Sequence, residues 1–282
     1  MNARRAWRRA TNVVMFGLTA LSTALSISVL FFVLGYLIVK GGSAVNWDFF
    51  TQLPKPVGEA GGGMANAIVG SAKLLAIAAM TGLPVGFLAG VYLAEFAPPL
   101  MGGVIRYAAD LLSGVPSIVI GIFVYTLAVL PFKHFSALAG GAALGIMMIP
   151  IMTRSTEEFL RAVPGSLREA SLALGAPKWI TIVRVVLPAA MRGIVTAAML
   201  GLARVAGETA PLLFTSLNNR FWSRSLSEPT ASLPVMIYTY AIAPYDDWQR
   251  QAWAAGLVLL VLVLAANVLA RLLLGRRVQL PG

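Results

Sequence analysis

From residue 13 to residue 39 the chain carries no charged side chain. Coiled as an α-helix, this run is about 40 Å long, more than the roughly 30 Å of a bilayer's hydrocarbon core. Backbone N–H and C=O groups find no water in lipid, so the run is expected to be a helix that crosses the membrane with some tilt. The apolar stretch of a secretory signal is about half as long, which makes this an uncleaved first span, preceded by Arg4, Arg5, Arg8 and Arg9. Further apolar stretches follow at residues 67–93, 104–130, 137–152, 193–214 and 252–274. The fourth span is short and is expected to run on helically toward Arg161. These runs imply an all-α integral membrane protein with six transmembrane helices. Charged residues make up 12% of the chain, against about 25% in soluble domains, and a soluble enzyme is excluded.

The division of Lys and Arg sets the expected topology. A cytoplasmic N-terminus places its four arginines on one face with Arg106, Arg154, Arg161, Arg168, Lys178, Arg184, Arg192, Arg271, Arg276 and Arg277. The other face receives Lys40, Lys55, Lys133, Arg220, Arg224 and Arg250, with Lys73 and Arg204 inside spans. Both termini are therefore expected in the cytoplasm. The net charge of +11 orients the protein and meets anionic headgroups, so membrane lipid, and no nucleic acid, is the expected partner of these cations.

Side-chain chemistry is sparse. Cysteine is absent and His134 is the lone histidine, which excludes disulfides, Cys/His metal sites and cysteine nucleophiles. The sequence contains neither a G-x-x-x-x-G-K-[ST] phosphate loop nor a G-x-S-x-G nucleophile elbow. The chain reads as no enzyme, with no cofactor and no metal. If ATP drives it, a separate subunit hydrolyses it.

Within one transmembrane domain covering residues 1–282, two segments outside the spans are long enough to act. One is the cytoplasmic stretch 153–192; the other is the outer stretch 215–251, whose aromatics, Pro229, Pro234, Pro244 and Asp246-Asp247 suggest an ordered lid. Gly61-Gly62-Gly63 marks a flexible approach to the second span, and Pro98-Pro99 a sharp stop after it. In the cytoplasmic stretch, Ser166-Leu167-Arg168-Glu169 fits a capping box. The helix it opens should reach Leu174, because Gly175 suits the left-handed closing position, and Pro177 suits the start of a second helix, about 178–186, ending near Pro188. Trp179, Ile182 and Val186 then share a side. By pattern alone this is either a knob that docks in a partner's groove or an amphipathic connector at the interface.

The residues themselves carry a resemblance. Glu169-Ala170-Ser171-x-x-x-Gly175, followed by Val185-x-Leu187-Pro188, resembles the EAA loop of ATP-binding-cassette importer permeases, with Ser171 in place of Ala and Val185 in place of Ile. That resemblance implies ATPase coupling through Glu169, Ala170, Gly175, Leu187 and Pro188.

Ionisable groups at bilayer depth are functional hypotheses by default. Lys73 and Asp110 lie near span ends and take structural readings first. Arg204 and Glu208, four apart in the fifth span, are expected to share a helical face and pair. They are either a packing salt bridge or an anion-handling guanidinium held by a carboxylate, with the pair serving as pathway or gate. Pro84, Gly114-Val115-Pro116-Ser117 and Pro150 are expected to break or bend their helices. Ser113 and Ser117 flank one such break; their hydroxyls either line the path or satisfy loosened backbone. Met147, Met148 and Met152 read as packing.

These breaks carry a second resemblance. Residues 112–121 (Leu-Ser-Gly-Val-Pro-Ser-Ile-Val-Ile-Gly), 207–215 (Gly-Glu-Thr-Ala-Pro-Leu-Leu-Phe-Thr) and 233–238 (Leu-Pro-Val-Met-Ile-Tyr), leading into Ala252-Trp253-Ala254, resemble phosphate-importer permeases of the same class. The resemblance implies the type I importer fold in a bacterial inner membrane and alternating-access transport of inorganic phosphate. It also implies a second related permease, two copies of an ATPase subunit and an extracytoplasmic phosphate-binding protein. Residues alone leave open another oxyanion such as sulfate, an ion-coupled secondary transporter using Arg204 and Glu208, and a non-transporting anchor.

Overall fold

A bilayer admits only segments whose backbone groups are paired internally, and the described residues of the computed structural model, 2–59 and 61–275, contain helices and no strand. Arg276 and Arg277, counted above for topology, lie outside them. The chain begins with α1 (Asn2–Gly42), a single 41-residue helix. The short α2 (Trp47–Thr51) follows, its first turn closed by the Asn46 side chain, which accepts from the Phe49 amide at 2.8 Å. The second span is α3 (Ala65–Glu95). The third is α4 (Pro99–Gly114) and α5 (Ser117–Val124), continued by a π-turn over Tyr125–Val129 into α6 (Leu130–Phe132). Next comes α7 (Ala137–Arg161), capped by Ser136, whose hydroxyl accepts from the Ala139 amide at 3.1 Å. The intervening segment holds α8 (Gly165–Ala173) and α9 (Lys178–Thr181), and a second π-turn, Ile182–Val186, joins α9 to α10 (Leu187–Ala206). After α11 (Ala210–Thr215), α12 (Leu233–Ala241) and α13 (Asp246–Gly275) complete the described chain.

Among the described residues five helices are long and apolar enough to cross a membrane, and the α4–α5 arms, bent by 99°, make a sixth if counted as one span. The fourth span runs to Arg161 as expected. The break in the third falls at Val115-Pro116, also as expected: the helical region is disfavoured for a residue before proline, and Val115 is extended at φ −69° and ψ 128°. Pro84 and Pro150 do not interrupt α3 or α7, because both helices are clamped along their length against each other, and neighbouring helices can compensate one missing amide. The glycine run 61–63 is a fitted turn: Gly61 and Gly62 have φ of +84° and +86°, and a Cβ on Gly63 would lie 2.8 Å from the carbonyl oxygens of Gln52 and Phe49.

The centre of the fold is α3 against α7. Gly82, Gly86 and Gly90 recur every fourth residue, so they share one face of α3. A Cβ there would lie 2.5 Å from the Gly145 oxygen, 2.6 Å from Met152 Cβ and 2.5 Å from Thr156 Cβ respectively. This small-xxx-small stripe lets the two backbones approach, and packing supplies the association that hydrophobicity cannot supply in lipid. Met147, Met148 and Met152 are buried around this seam, so they are packing residues. The other spans arrange around the pair, while α1 packs on α13 and is otherwise exposed.

The seam yields the first prediction. Gly86→Val forces side-chain atoms into Met152 and the Ile149 carbonyl and should cost about 1–3 kcal/mol by overpacking. Gly103→Ala on α4, with nothing within 4 Å of the added carbon, should not destabilise, since Ala is the better helix former. Thermal unfolding of the purified variants checks both; equal midpoints would refute the seam's importance.

Candidate functional site

The third and fifth spans are both broken, and the breaks are neighbours. In the fifth span α10 ends at Ala206, Gly207 closes it, Glu208 lies between the helices, Thr209 caps α11, and Pro211 stands in its first turn. The two half-helices beyond the breaks, α5 and α11, pack on each other so closely that a Cβ on Gly121 would lie 2.6 Å from Pro211 Cα. Ser113 lies exposed in the last turn of α4 and Ser117 opens α5 half-buried. Among the described residues neither hydroxyl makes a hydrogen bond, so they do not stitch the loosened backbone.

Arg204 and Glu208 do not pair. Arg204 is exposed on the last turn of α10, Glu208 is half-buried in the break, and no ion pair joins them among the described residues. The expected i,i+4 relation requires an unbroken helix, and the helix stops between the two. Arg204 thus presents a guanidinium without a carboxylate partner among the described residues, next to the paired breaks.

The strongest buried charge lies elsewhere. Glu157, 2% exposed, receives Arg106 Nε at 2.7 Å, Arg161 Nη2 at 3.0 Å and Arg154 Nη1 at 3.2 Å, and Arg154 also meets Asp110 at 3.2 Å. Asp110 is therefore structural, as is Lys73, which donates to the Ser223 carbonyl at 2.7 Å. Since α4 buries only Gly102 and Ala109, these ion pairs, more than apolar contact, hold it to α7. Sequence reading passed over Glu157, although Arg154-x-x-Glu157-x-x-x-Arg161 has the i,i+3 and i,i+4 spacing of helical ion pairs.

The segment after α7 is built differently from the sequence expectation. Pro164, not Ser166, stands at the N-cap of α8, and no side-chain cap forms; the fixed proline φ starts the helix early and places Ser166 inside its first turn. The end is as expected. Gly175 has φ +82°, its amide donates to the Leu172 carbonyl at 2.9 Å and the Ala176 amide to the Ser171 carbonyl at 3.3 Å, which is a Schellman closure. The second helix does not end near Pro188. It passes through the π-turn into α10, and the wider turn accommodates a ring that lacks an N–H. The changed register buries Ile182 and Val186 but leaves Trp179 64% exposed, so these three do not share a side. Ser171 and Thr181 hydroxyls meet at 2.9 Å and tie the short helices together. Arg168 anchors them below, donating to Glu95 at 2.8 Å and to the Leu160 and Val163 carbonyls, both at 2.7 Å. Glu169, Ala170, Gly175 and Pro188 are exposed, whereas Leu187 packs into the core. Leu174, 89% exposed, crowns the turn.

The sequence profile of the family described as "Binding-protein-dependent transport system inner membrane component" matches residues 82–279. This chain belongs to that family. It is 44% identical over 275 residues to the phosphate transport system permease protein PstA of Yersinia pestis, covering 97% of this chain and 93% of that one. With PstA of Haemophilus influenzae it shares 43% over 272 residues, 96% of each chain. Among solved structures, a bacterial alginate ABC transporter in complex with an alginate pentasaccharide-bound periplasmic protein aligns with TM-score 0.66 at 15% identity, covering 94% of this chain and 96% of that one. The inward-facing MetNI methionine ABC transporter aligns at 0.59 and 20% identity, covering 76% and 94%. The fold is that of type I ABC importer permeases.

In this inner membrane component the segment after α11 is ordered. Asn66 Nδ2 donates to the Asn219 carbonyl at 2.6 Å, Ser71 Oγ accepts from the Leu233 amide at 2.8 Å, and Gln251 Nε2 donates to the Gly61 carbonyl at 3.0 Å. Tyr240 stacks on Trp248 with centroids 4.3 Å apart, and Arg220 lies over the same indole. Burial raises the Tyr240 phenol's pKa, partly offset by Arg220. Phe221, Trp222 and Tyr245 stay exposed.

Glu157→Gln should release α4 by removing the shared carboxylate charge, at a cost of about 2 kcal/mol in charge-assisted hydrogen bonding. Arg106→Gln, which leaves Glu157 its other two arginines, should cost less. Urea or thermal unfolding ranks the two; a Glu157→Gln protein as stable as the parent would remove the latch assigned here.

Proposed function

We propose that this chain is the permease subunit of an ATP-driven importer of inorganic phosphate. It forms the translocation path by alternating access, and a separate subunit hydrolyses ATP. The observation that carries the reading is the unpaired Arg204 guanidinium beside two adjacent helix breaks, in a chain similar to phosphate permeases over nearly its whole length. Discontinuous helices place polar groups where a transported anion can meet them, and the guanidinium fork suits phosphate oxygens. In this reading Arg204 contacts the anion, the Ser113 and Ser117 hydroxyls line the same passage, and Glu208 moves with the break as a gate.

Residues 153–192 face the cytoplasm in this reading, with both termini, and present the Glu169–Gly175 turn to the ATPase. Leu187 and Pro188 fix the direction of that turn by joining it rigidly to α10. Residues 215–251 lie outside the membrane and meet the binding protein through Phe221, Trp222 and Tyr245. A second related permease and two ATPase copies complete the transporter in a bacterial inner membrane.

Two experiments test the reading. Because Arg204 is exposed and unpaired, Arg204→Gln and Arg204→Lys should leave assembly intact while phosphate uptake falls about tenfold or more in the Gln variant, as expected for a lost charge-assisted bond. Parental uptake by Arg204→Gln would sink the pathway role, and stronger uptake with a sulfate-binding protein would favour the other oxyanion. Gly175→Val places a β-branched residue at φ +82°, a strain of about 1–2 kcal/mol. It should reduce ATPase copurification or phosphate-dependent ATP hydrolysis; normal values of both would remove the docking claim. Uptake that persists without the ATPase would favour ion coupling.

A further inference from the structure

Ser232 stands at the N-cap of α12 but caps nothing. A serine there ordinarily accepts from the amide of the second or third helical residue. In α12 the second residue is Pro234, which has no N–H, and the Ser232 side chain makes no capping bond. The first amide of α12 is capped from another helix instead: Leu233 donates to Ser71 Oγ of α3 at 2.8 Å. Ser232 is left 1% exposed, and among the described residues its hydroxyl oxygen has no hydrogen-bond partner. Buried polar groups are as a rule hydrogen-bonded, because burial without a partner forfeits their hydration. The partner of Ser232 therefore has to come from outside the chain.

A small cavity meets that hydroxyl. It lies between α3, α7, α12 and the two halves of the broken fifth span, with Ser71 and Ser232 as its hydroxyl-bearing residues and Val205, Ala206 and Leu212 bordering it from α10 and α11. Its volume is about 10 Å³, the least that admits one water and far too little for an oxyanion. Ser71 accepts from Leu233 and has a hydrogen left to donate. Ala206 ends α10, and the last carbonyls of a helix have no partner within it. Those of Arg204 and Val205 accept from the Gly207 and Glu208 amides at 3.4 and 3.2 Å, and among the described residues no backbone amide serves Ala206 in this way. A buried water makes about three hydrogen bonds, and three groups are at hand. We propose that this cavity holds one ordered water, which accepts from Ser71 and donates to Ser232 Oγ and to the Ala206 carbonyl. The water ties α3 and α12 to the last helical residue before the fifth-span break, whatever the transporter carries.

X-ray radiolysis footprinting of the transporter, purified with its partner subunits and equilibrated in heavy-oxygen water, tests this. Radiolysis of a bound water oxidises the side chains beside it, so Leu212 and Pro234, both buried, should take up heavy oxygen in the parent. Ser232→Ala leaves the water one hydroxyl fewer, and the label should fall about tenfold, as fits loss of a buried hydrogen bond. Ser216→Ala is the control: that hydroxyl is also buried but is bonded to the Leu212 carbonyl at 3.3 Å, and its loss should leave the label on Pro234 unchanged. Inorganic phosphate in excess should change nothing. An unlabelled parent, or equal labelling of the parent and Ser232→Ala, overturns the proposal. Protection by inorganic phosphate overturns it too, since the site would then take an anion. Electron cryomicroscopy that shows ordered water should place a single peak within hydrogen-bond reach of both hydroxyls; a Ser232 hydroxyl found on the Val235 amide overturns the assignment. Ser71 still caps α12 in Ser232→Ala, so its partner subunits should copurify normally, which separates loss of the water from misfolding.

Discussion

The approach of α3 to α7 is the constraint on which the other helices depend. In lipid an apolar side chain gains little by leaving the solvent, so two spans stay together through close contact and through hydrogen bonds. Gly82, Gly86 and Gly90 remove the side chains that would hold the backbones apart. Once the pair is set, α10 and α11 have a surface to lie on, and α5 is carried by α11. The two broken spans are therefore supported from behind by an unbroken pair.

Charge does a second kind of work at the end of α7. Apolar burial on α4 is confined to Gly102 and Ala109, so Arg106, Arg154 and Arg161 converging on Glu157 fix its position. A buried carboxylate is costly unless fully partnered, and here three guanidinium groups share it. Beyond Arg161, Arg168 ties the α8–α9 segment to Glu95 at the end of α3. The exposed Gly175 turn is thus joined both to α3 through this ion pair and to α10 through the continuous helix behind the π-turn. That continuity joins the turn to the break at Gly207 without an intervening flexible loop.

Sequence and structure diverge where local pattern meets a competing backbone preference. Ser166 and Glu169 have capping-box spacing, yet Pro164 nucleates the helix earlier. Arg204 and Glu208 have ion-pair spacing, yet the Gly207–Pro211 stretch ends the helix between them. Pro188 looked like a terminus, and a π-turn absorbed it. In each case the spacing rule was sound, and the helix it presupposed began or ended elsewhere.

The amino-acid sequence by itself determined the helical membrane class, the number and limits of the apolar runs, the break at Val115-Pro116 and the left-handed position of Gly175. Each follows from local physics: lipid cannot satisfy open backbone, proline restricts the residue before it, and glycine lacks the Cβ that forbids positive φ. Tertiary structure alone decided that the breaks of the third and fifth spans adjoin and that Arg106 of α4 reaches Glu157 of α7. Those facts concern residues far apart along the chain, brought together by helix packing whose geometry no local spacing encodes.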